Sequence, residues 1–426
     1  MKKSLFAIAA VTAFAGAAQA QSSVTVYGIL DVGYVGGNER LAGVNNTVST
    51  QGVTNQNFST LGSSAQSTSR LGFRGREDLG GGTAAFFTLE TEIVPNTAGS
   101  AGGFIGSNRA AFLGISQKGI GQAAIGLQNT VVTDAISPTL TGQFNNIVGS
   151  MLFPGGVQGS SRTPNAASVD ATTLNRANGN NEGFTFRTNN TLKIQSERMA
   201  GLQVGAMLVA TGSTVNQTAV AAGTTGSTGY TGGKNDQTGW GLGLNYTYKK
   251  ATVTAAYQSL TAIDPYSSTA AQTANGGIGA TGAPVAFGTV GTGTNVKDNQ
   301  AYVGATYDFG ILKAYAGWIN RKVTSEINSS AYLNRTAQEI GVRGNWTPKI
   351  ESWASIGNGR VTSFGVNSPT ANLVGWQVGS NYILSKRTNL YAIYGQSGTS
   401  NASSVANGNP VSYNANQYAV GVRHSF

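Results

Sequence analysis

The sequence predicts an all-β protein, a transmembrane antiparallel β-barrel of about sixteen strands, and three observations lead there. Runs of apolar/polar alternation last about ten residues, roughly twice the length of an ordinary globular strand. The runs are joined alternately by tight turns and by long polar loops. The N-terminus has the layout of a secretory leader, while no later stretch offers the roughly 18 consecutive apolar residues of a membrane helix.

The leader comes first. Lys2 and Lys3 precede an apolar run from Leu5 to Ala18, and Ala18-Gln19-Ala20 forms a small-residue cleavage site before Gln21. Residues 1–20 are therefore expected to be a signal peptide and residues 21–426 a single barrel. The chain has 60 Gly, 9 Pro and no Cys, and charged residues make up only 10%. Without cysteine there is no disulfide framework, thiolate metal site or cysteine nucleophile. The net charge of +10 loses two lysines with the leader. It stays positive without the aromatic-basic repeats of a nucleic-acid binder, which fits a basic wall facing small anions.

Val24 to Tyr34 is the first strand, with Val24, Val26, Leu30, Val32 and Tyr34 on one parity and Thr25, Tyr27 and Asp31 on the other. A polar loop is expected from there to about Ser67. Next, Leu71 and Phe73 share one face and Arg70 and Arg74 the other; Glu77 to Gly82 supplies a glycine turn, and Thr83 to Glu92 returns. Strands over Ser107–Ser116 and Gln122–Gln128 flank Lys118-Gly119-Ile120-Gly121. Val131 to Phe186 shows no secondary-structure period. An excursion of this length inside a compact domain reads as a functional insertion. It carries few charges (Asp134, Asp170, Glu182, Arg162 and Arg176) and an apolar patch from Met151 to Gly156.

Hairpins resume at Arg187 and continue with strands at 203–210, 239–248, 252–260, 299–308, 312–319, 339–346, 352–359, 373–384 and 389–394, ending at 416–426. In hydrocarbon an unpaired backbone group costs several kcal/mol, so the last strand must pair with the first. Tyr418, Val420, Val422 and Phe426 share one parity of that closing strand. A fixed short repeat, the mark of a β-helix or adhesin, is missing.

Catalysis has little to work with. His424 is the only histidine and sits on the outward parity near a turn, whereas a nucleophile-base device needs a sheltered base with an orienting partner. Asp134, Asp170 and Asp236 are isolated and show no calcium-loop spacing. The strand glycines open no helix and so form no phosphate loop. Tyr27, Tyr34, Tyr248, Phe309, Trp346 and Tyr382 suit an aromatic girdle. No catalytic residue, cofactor or metal site is expected. On the lipid side a charge near the midplane costs roughly 2–4 kcal/mol, so Arg70, Arg74, Arg187, Arg343 and Arg423 should face inward, towards Glu90 and Glu92.

The 69–90 hairpin, the opening Val24-Thr-Val-Tyr-Gly with Asp31, the run Arg109-Ala-Ala-Phe-Leu-Gly and the ending Arg423-His424-Ser425-Phe426 resemble the general porins of beta-proteobacterial outer membranes. The resemblance implies short periplasmic turns, long external loops and a third loop, here 131–186, folded into the bore as a constriction. It implies a homotrimer in outer-membrane lipid that passes small hydrophilic solutes and anions by passive diffusion, with no nucleic acid as partner. The arginines matching Arg70 and Arg187 and the glutamate matching Glu90 would lie at the constriction, with Arg74 and Glu92 beside them by parity. The ending in Tyr418, Val420, Val422 and Phe426 would be the signal read by the barrel assembly machinery. In one departure, Gly126-Leu127-Gln128 replaces the family's usual Gly-Arg-Gln. That removes an expected constriction arginine and leaves only a weak anion preference. A substrate-selective channel on the same barrel and a non-conducting surface adhesin are the alternatives.

Overall fold

In a computed structural model, the described residues are 23–42, 53–95, 105–154, 183–220, 229–265, 295–326, 329, 332–363, 370–403 and 410–426. The leader expected at 1–20 lies outside them. The strands are β1 (Ser23–Ala42), β2 (Val53–Ser63), β3 (Arg70–Gly80), β4 (Thr83–Ile93), β5 (Ile105–Gln117), β6 (Gly121–Asn129), β7 (Arg187–Ser196), β8 (Leu202–Val220) and β9 (Gly229–Tyr248). They continue as β10 (Ala251–Ile263), β11 (Asn295–Asp308), β12 (Leu312–Ser325), β13 (Tyr332–Thr347), β14 (Ile350–Ser363), β15 (Thr370–Ile383), β16 (Thr388–Ser403) and β17 (Pro410–Ser425).

All seventeen belong to one antiparallel sheet, and β1 pairs with β17 from Ile29–Ser425 to Ala42–Ser412, which closes it. Gly28 and Phe426 exchange both backbone hydrogen bonds at 3.1 Å, completing the seam. The strands make sixteen staves, because β2 and β3 occupy one position: β1 pairs with β2 along Val32–Ala42 and with β3 along Ser23–Ile29. The expected polar loop from Tyr34 to Ser67 is thus largely strand. Strands also run several residues past their expected ends at the loop rim; β8 reaches Val220, not Ala210. Beyond the membrane both faces of a strand meet water, so alternation fades while the backbone ladder continues.

Outward positions are apolar. Rings cluster in two belts, Trp240, Tyr257, Trp318 and Trp376 toward the loops and Tyr246, Tyr248, Tyr307, Phe309, Trp346 and Tyr382 toward the turns, most of them substantially exposed. Tyr27 is not in either belt. It lies on the opposite parity from exposed Val24 and Val26 and donates to Glu90 inside the barrel.

The packed core lies between the wall and the inserted third loop. That loop opens with a short helix, α1 (Val131–Ile136), capped by the Thr130 hydroxyl, which accepts from the Thr133 N–H at 3.3 Å, and continues into a 3-10 turn at Ser137–Thr139. The sequence reading found no period here because six residues are too few to show one. Residues 155–182 of the loop lie outside the described part.

Val132, Ile136, Ile147 and Phe184 are fully buried, and each such side chain contributes about 1.5–3 kcal/mol. Room for the loop comes from inward-facing glycines on β9 and on β12 to β14. A Cβ on Gly241 would stand 2.7 Å from Val131 Cγ2, on Gly317 2.6 Å from Leu152 Cδ1, on Gly341 2.7 Å from Thr141 Cγ2, and on Gly357 2.9 Å from Met151 Cβ. These glycines form a groove that takes the loop's side chains.

Candidate functional site: a charged wall beside the inserted loop

The loop is fastened by wall side chains that reach its backbone. Glu339 of β13 accepts from Ser150 Oγ and Met151 N, both at 2.7 Å, and Arg335 donates to the Met151 carbonyl at 2.8 Å. Arg343 donates to the Thr141 carbonyl at 2.6 Å and pairs with Glu351 at 2.9 Å. Gln300 accepts from Thr185 N and donates to Thr185 Oγ1, both at 2.8 Å, Gln377 donates to the Val148 carbonyl at 2.8 Å, and Gln417 accepts from Val148 N at 3.2 Å. These partners sit on β11, β13, β15 and β17, while α1 packs on β8 to β11. Arg321 and Asp298, both with 0% exposed side chains, neutralise each other at 2.6 Å. On the β7 side, Lys193 pairs with Asp134 at 2.9 Å and donates to the Asn129 carbonyl. Packing pushes the Asp134 carboxyl above the ordinary carboxylate range, and the Lys193 ammonium opposes that rise.

The remaining charges gather on β3 to β5 and at the start of β7. Register places Arg70 opposite Glu92 and Gly72 opposite Glu90. The bare Gly72 lets the Tyr27 ring lie across it, and the Tyr27 hydroxyl donates to Glu90 Oε2 at 3.1 Å. Arg109 Nε meets Glu90 Oε1 at 2.7 Å. Arg70 Nη1 is 3.9 Å from that oxygen, while its Nε and Nη2 donate to the Thr68 carbonyl (2.9 Å) and Ser67 Oγ (2.8 Å). Arg187 lies over the Phe186 ring, 4.4 Å from its centroid, within electrostatic reach of Arg109, Glu90, Arg70 and Glu92. Glu92 is buried beside Arg109, Arg187 and Arg70.

Of the residues singled out from sequence, Arg70, Glu90, Glu92 and Arg187 come together, and Arg74 stands at their edge over the Tyr27 ring at 5.3 Å. Arg109 was missed as a site residue. Strict alternation from Leu113 and Ala111 puts it on the lipid side, but the β4–β5 register slips between Glu90–Ala110 and Thr91–Asn108, and this bulge turns Arg109 inward. A signal was available: an arginine on a lipid parity at a strand's loop end is costly enough to announce a bulge.

Leu127 also departs from expectation. It stands opposite Ala111, itself opposite half-exposed Leu89, and so belongs to the outer parity. It therefore leaves no gap in the inward charges. At the seam, Tyr418 and Val420 are outward and exposed, Val422 shares their parity, and the Phe426 ring covers Gly28. His424 lies exposed at the turn rim, its Nδ1 2.9 Å from Thr388 Oγ1.

A closed barrel with an inserted loop and an inward arginine cluster invites comparison with known channels, and the family model for Gram-negative porins matches residues 7–402. The chain belongs to the Gram-negative porin family. As such a porin it crosses the outer membrane many times, with its sixteen staves spanning the bilayer. Outer membrane porin protein 32 of Delftia acidovorans is 49% identical over 104 residues, covering 24% of this chain and 26% of that protein. An outer membrane porin protein of Bordetella pertussis is 37% identical over 136 residues, covering 31% and 35%. The aligned stretches thus span about a quarter and a third of those relatives.

Among solved structures, the anion-selective porin from Comamonas acidovorans superposes with a TM-score of 0.63 at 20% identity, over 95% of this porin and 100% of that chain. OmpT of Vibrio cholerae follows with a TM-score of 0.57 at 15% identity, over 95% and 98%. At these identities the likeness is one of fold.

Proposed function

We propose that this porin is a passive diffusion channel for small hydrophilic solutes and ions, with a preference for anions. The observation that carries the reading is the cluster on β3 to β5 and at the start of β7 in which Arg70, Arg109 and Arg187 outnumber Glu90 and Glu92. In a narrow, water-filled passage the low-dielectric walls focus the field, so one surplus guanidinium there counts for more than surface charge elsewhere. Loop 131–186 acts as a largely neutral restrictor, and the wall selects. Because Leu127 belongs to the outer parity, the preference is stronger than a missing arginine would leave it. The resemblance to an anion-selective porin points the same way. A reversal potential in a planar bilayer under a KCl gradient tests this; a cation preference refutes it. A substrate-selective channel predicts instead that one solute blocks conductance at low concentration, and an adhesin predicts no conductance.

The working assembly is a homotrimer. No Trp or Tyr occurs between Tyr34 and Tyr230, so β2 to β7 present an outer face of Leu61, Leu89, Leu113, Ile115 and Ile125 without the rings that mark a lipid boundary. A face without a girdle suits contact with a second and third copy of the chain. Cross-linking of detergent-extracted protein tests it, and a purely monomeric pattern refutes it. Residues 1–20 are removed on export, so the mature chain starts at Gln21, and the Tyr418–Phe426 strand is what the barrel assembly machinery reads.

A further inference from the structure

The second stave is broken inside the barrel. Between β2 and β3, Ser64 to Ser69 leave the ladder, starting at Ser64 with a φ of 67°. Both ends are tied to the backbone of one residue on β1: Ser64 N donates to the Asp31 carbonyl at 2.9 Å, and Asp31 N donates to Ser69 Oγ at 3.0 Å. The Asp31 side chain holds the middle. Its Oδ2 accepts from Gln66 N (2.8 Å) and Ser67 N (2.7 Å), and its Oδ1 accepts from the Tyr391 hydroxyl of β16 (2.6 Å). Asp31 is 0% exposed, so it does not meet the permeating ion.

The excursion holds the Arg70 guanidinium in turn, through Ser67 Oγ and the Thr68 carbonyl. These are neutral acceptors, and they keep Arg70 at 3.9 Å from Glu90 while Arg109 closes to 2.7 Å on the same oxygen. Arg109 is therefore neutralised, and Arg70 remains a cation with charge to offer. The loop touches the same excursion: Asn146 N donates to the Ala65 carbonyl at 2.9 Å and its Nδ2 to the Ser64 carbonyl at 2.6 Å.

We infer that Asp31 is a positioning residue for ion selection: gripped by Tyr391 and gripping Gln66 and Ser67, it sets the hydrogen-bonded perch that keeps Arg70 off the glutamates. The inference rests on the anion-preferring reading above. Without the perch, Arg70 falls onto Glu90 or Glu92, and the cluster loses one of the cations it presents.

The sign of the effect separates this role from simple electrostatics. Removing a carboxylate from the wall would by itself raise the anion preference. Loss of the perch lowers it.

The test compares wild type, Arg70→Gln, Asp31→Asn, Tyr391→Phe and the Asp31→Asn/Arg70→Gln double variant, by reversal potential under a KCl gradient on heat-modifiable, folded protein. Asp31→Asn and Tyr391→Phe should both lower the chloride-over-potassium permeability ratio towards the Arg70→Gln value. The double variant should be no lower than Arg70→Gln alone. A rise in the ratio with Asp31→Asn, or additive losses in the double variant, overturns the inference. An ineffective Asp31→Asn beside an effective Arg70→Gln overturns only the inference, whereas an ineffective Arg70→Gln overturns the selectivity reading with it. Tyr391→Phe changes no charge and keeps its ring against Gly421, so it carries the test where Asp31→Asn does not fold.

Discussion

Replacing Glu339 with glutamine should loosen the inserted loop without disturbing the wall. Glu339 is 3% exposed on β13, and its Oε2 receives Ser150 Oγ and Met151 N at 2.7 Å each, with Leu152 N further off at 3.5 Å. A hydrogen bond to a charged acceptor contributes about 1.5–3 kcal/mol and a neutral one about 0.5–1.5. Converting the two short bonds to neutral ones thus removes about 2 kcal/mol of anchoring. At 1.4 kcal/mol per tenfold, the opening equilibrium at Ser150–Leu152 rises about 30-fold. Hydrogen exchange measures this directly, because local opening sets the rate at which these amides exchange. Exchange in 147–153 should accelerate by about that factor while β13 and β14 stay protected, and single-channel records should show more frequent current steps. Unchanged exchange at Met151 and Leu152 would refute the assignment of Glu339 as the anchor.

Three further outcomes are expected. Gly317→Val places a branched side chain where Leu152 Cδ1 and the Tyr302 hydroxyl stand 2.6 and 2.8 Å from the Cβ position; overpacking of about 1–3 kcal/mol should unseat Leu152 and open the loop to protease, and unaltered resistance would count against the glycine groove. Arg109→Gln removes the 2.7 Å partner of Glu90 and should move the reversal potential toward potassium, with no shift arguing against a selecting wall. Phe426→Ala uncovers Gly28 and strips the outward ring from the seam, so the heat-modifiable fraction in outer membranes should fall, and a wild-type yield would refute its role in assembly.

The stave count was legible because hydrocarbon imposes alternation, and alternation survives in a single sequence. What escaped lies where that constraint stops. The strand Val53–Ser63 is mostly polar short of Leu61 because that part stands beyond the bilayer, where neither face needs to be apolar. Arg109 was passed over and Leu127 was placed by resemblance to a Gly-Arg-Gln pattern; both sit beside register slips, at Glu90/Thr91 and Gly126/Gln128, that a strand pattern does not reveal. The third loop was legible as an insertion, but its seat was not. The glycines at 241, 317, 341, 357 and 375 share the inward parity of their strands, a pattern visible only once the strands are aligned side by side. The inward charges were readable by type, but not the contacts around them, such as that between Asp31 and Tyr391, 360 positions apart.

Nearly every anchor of the third loop is synthesised after it. Val131 meets Gly241, Met151 meets Glu339, and Val148 meets Gln417, 269 residues downstream. The loop therefore has no seat while the chain is partly made, and such distant contacts form late in folding. A cylinder that has closed but not yet received its loop would be an unguarded hole through the outer membrane. The seam joins residues still further apart, Gly28 and Phe426, so the same rule has the loop seated before the cylinder closes.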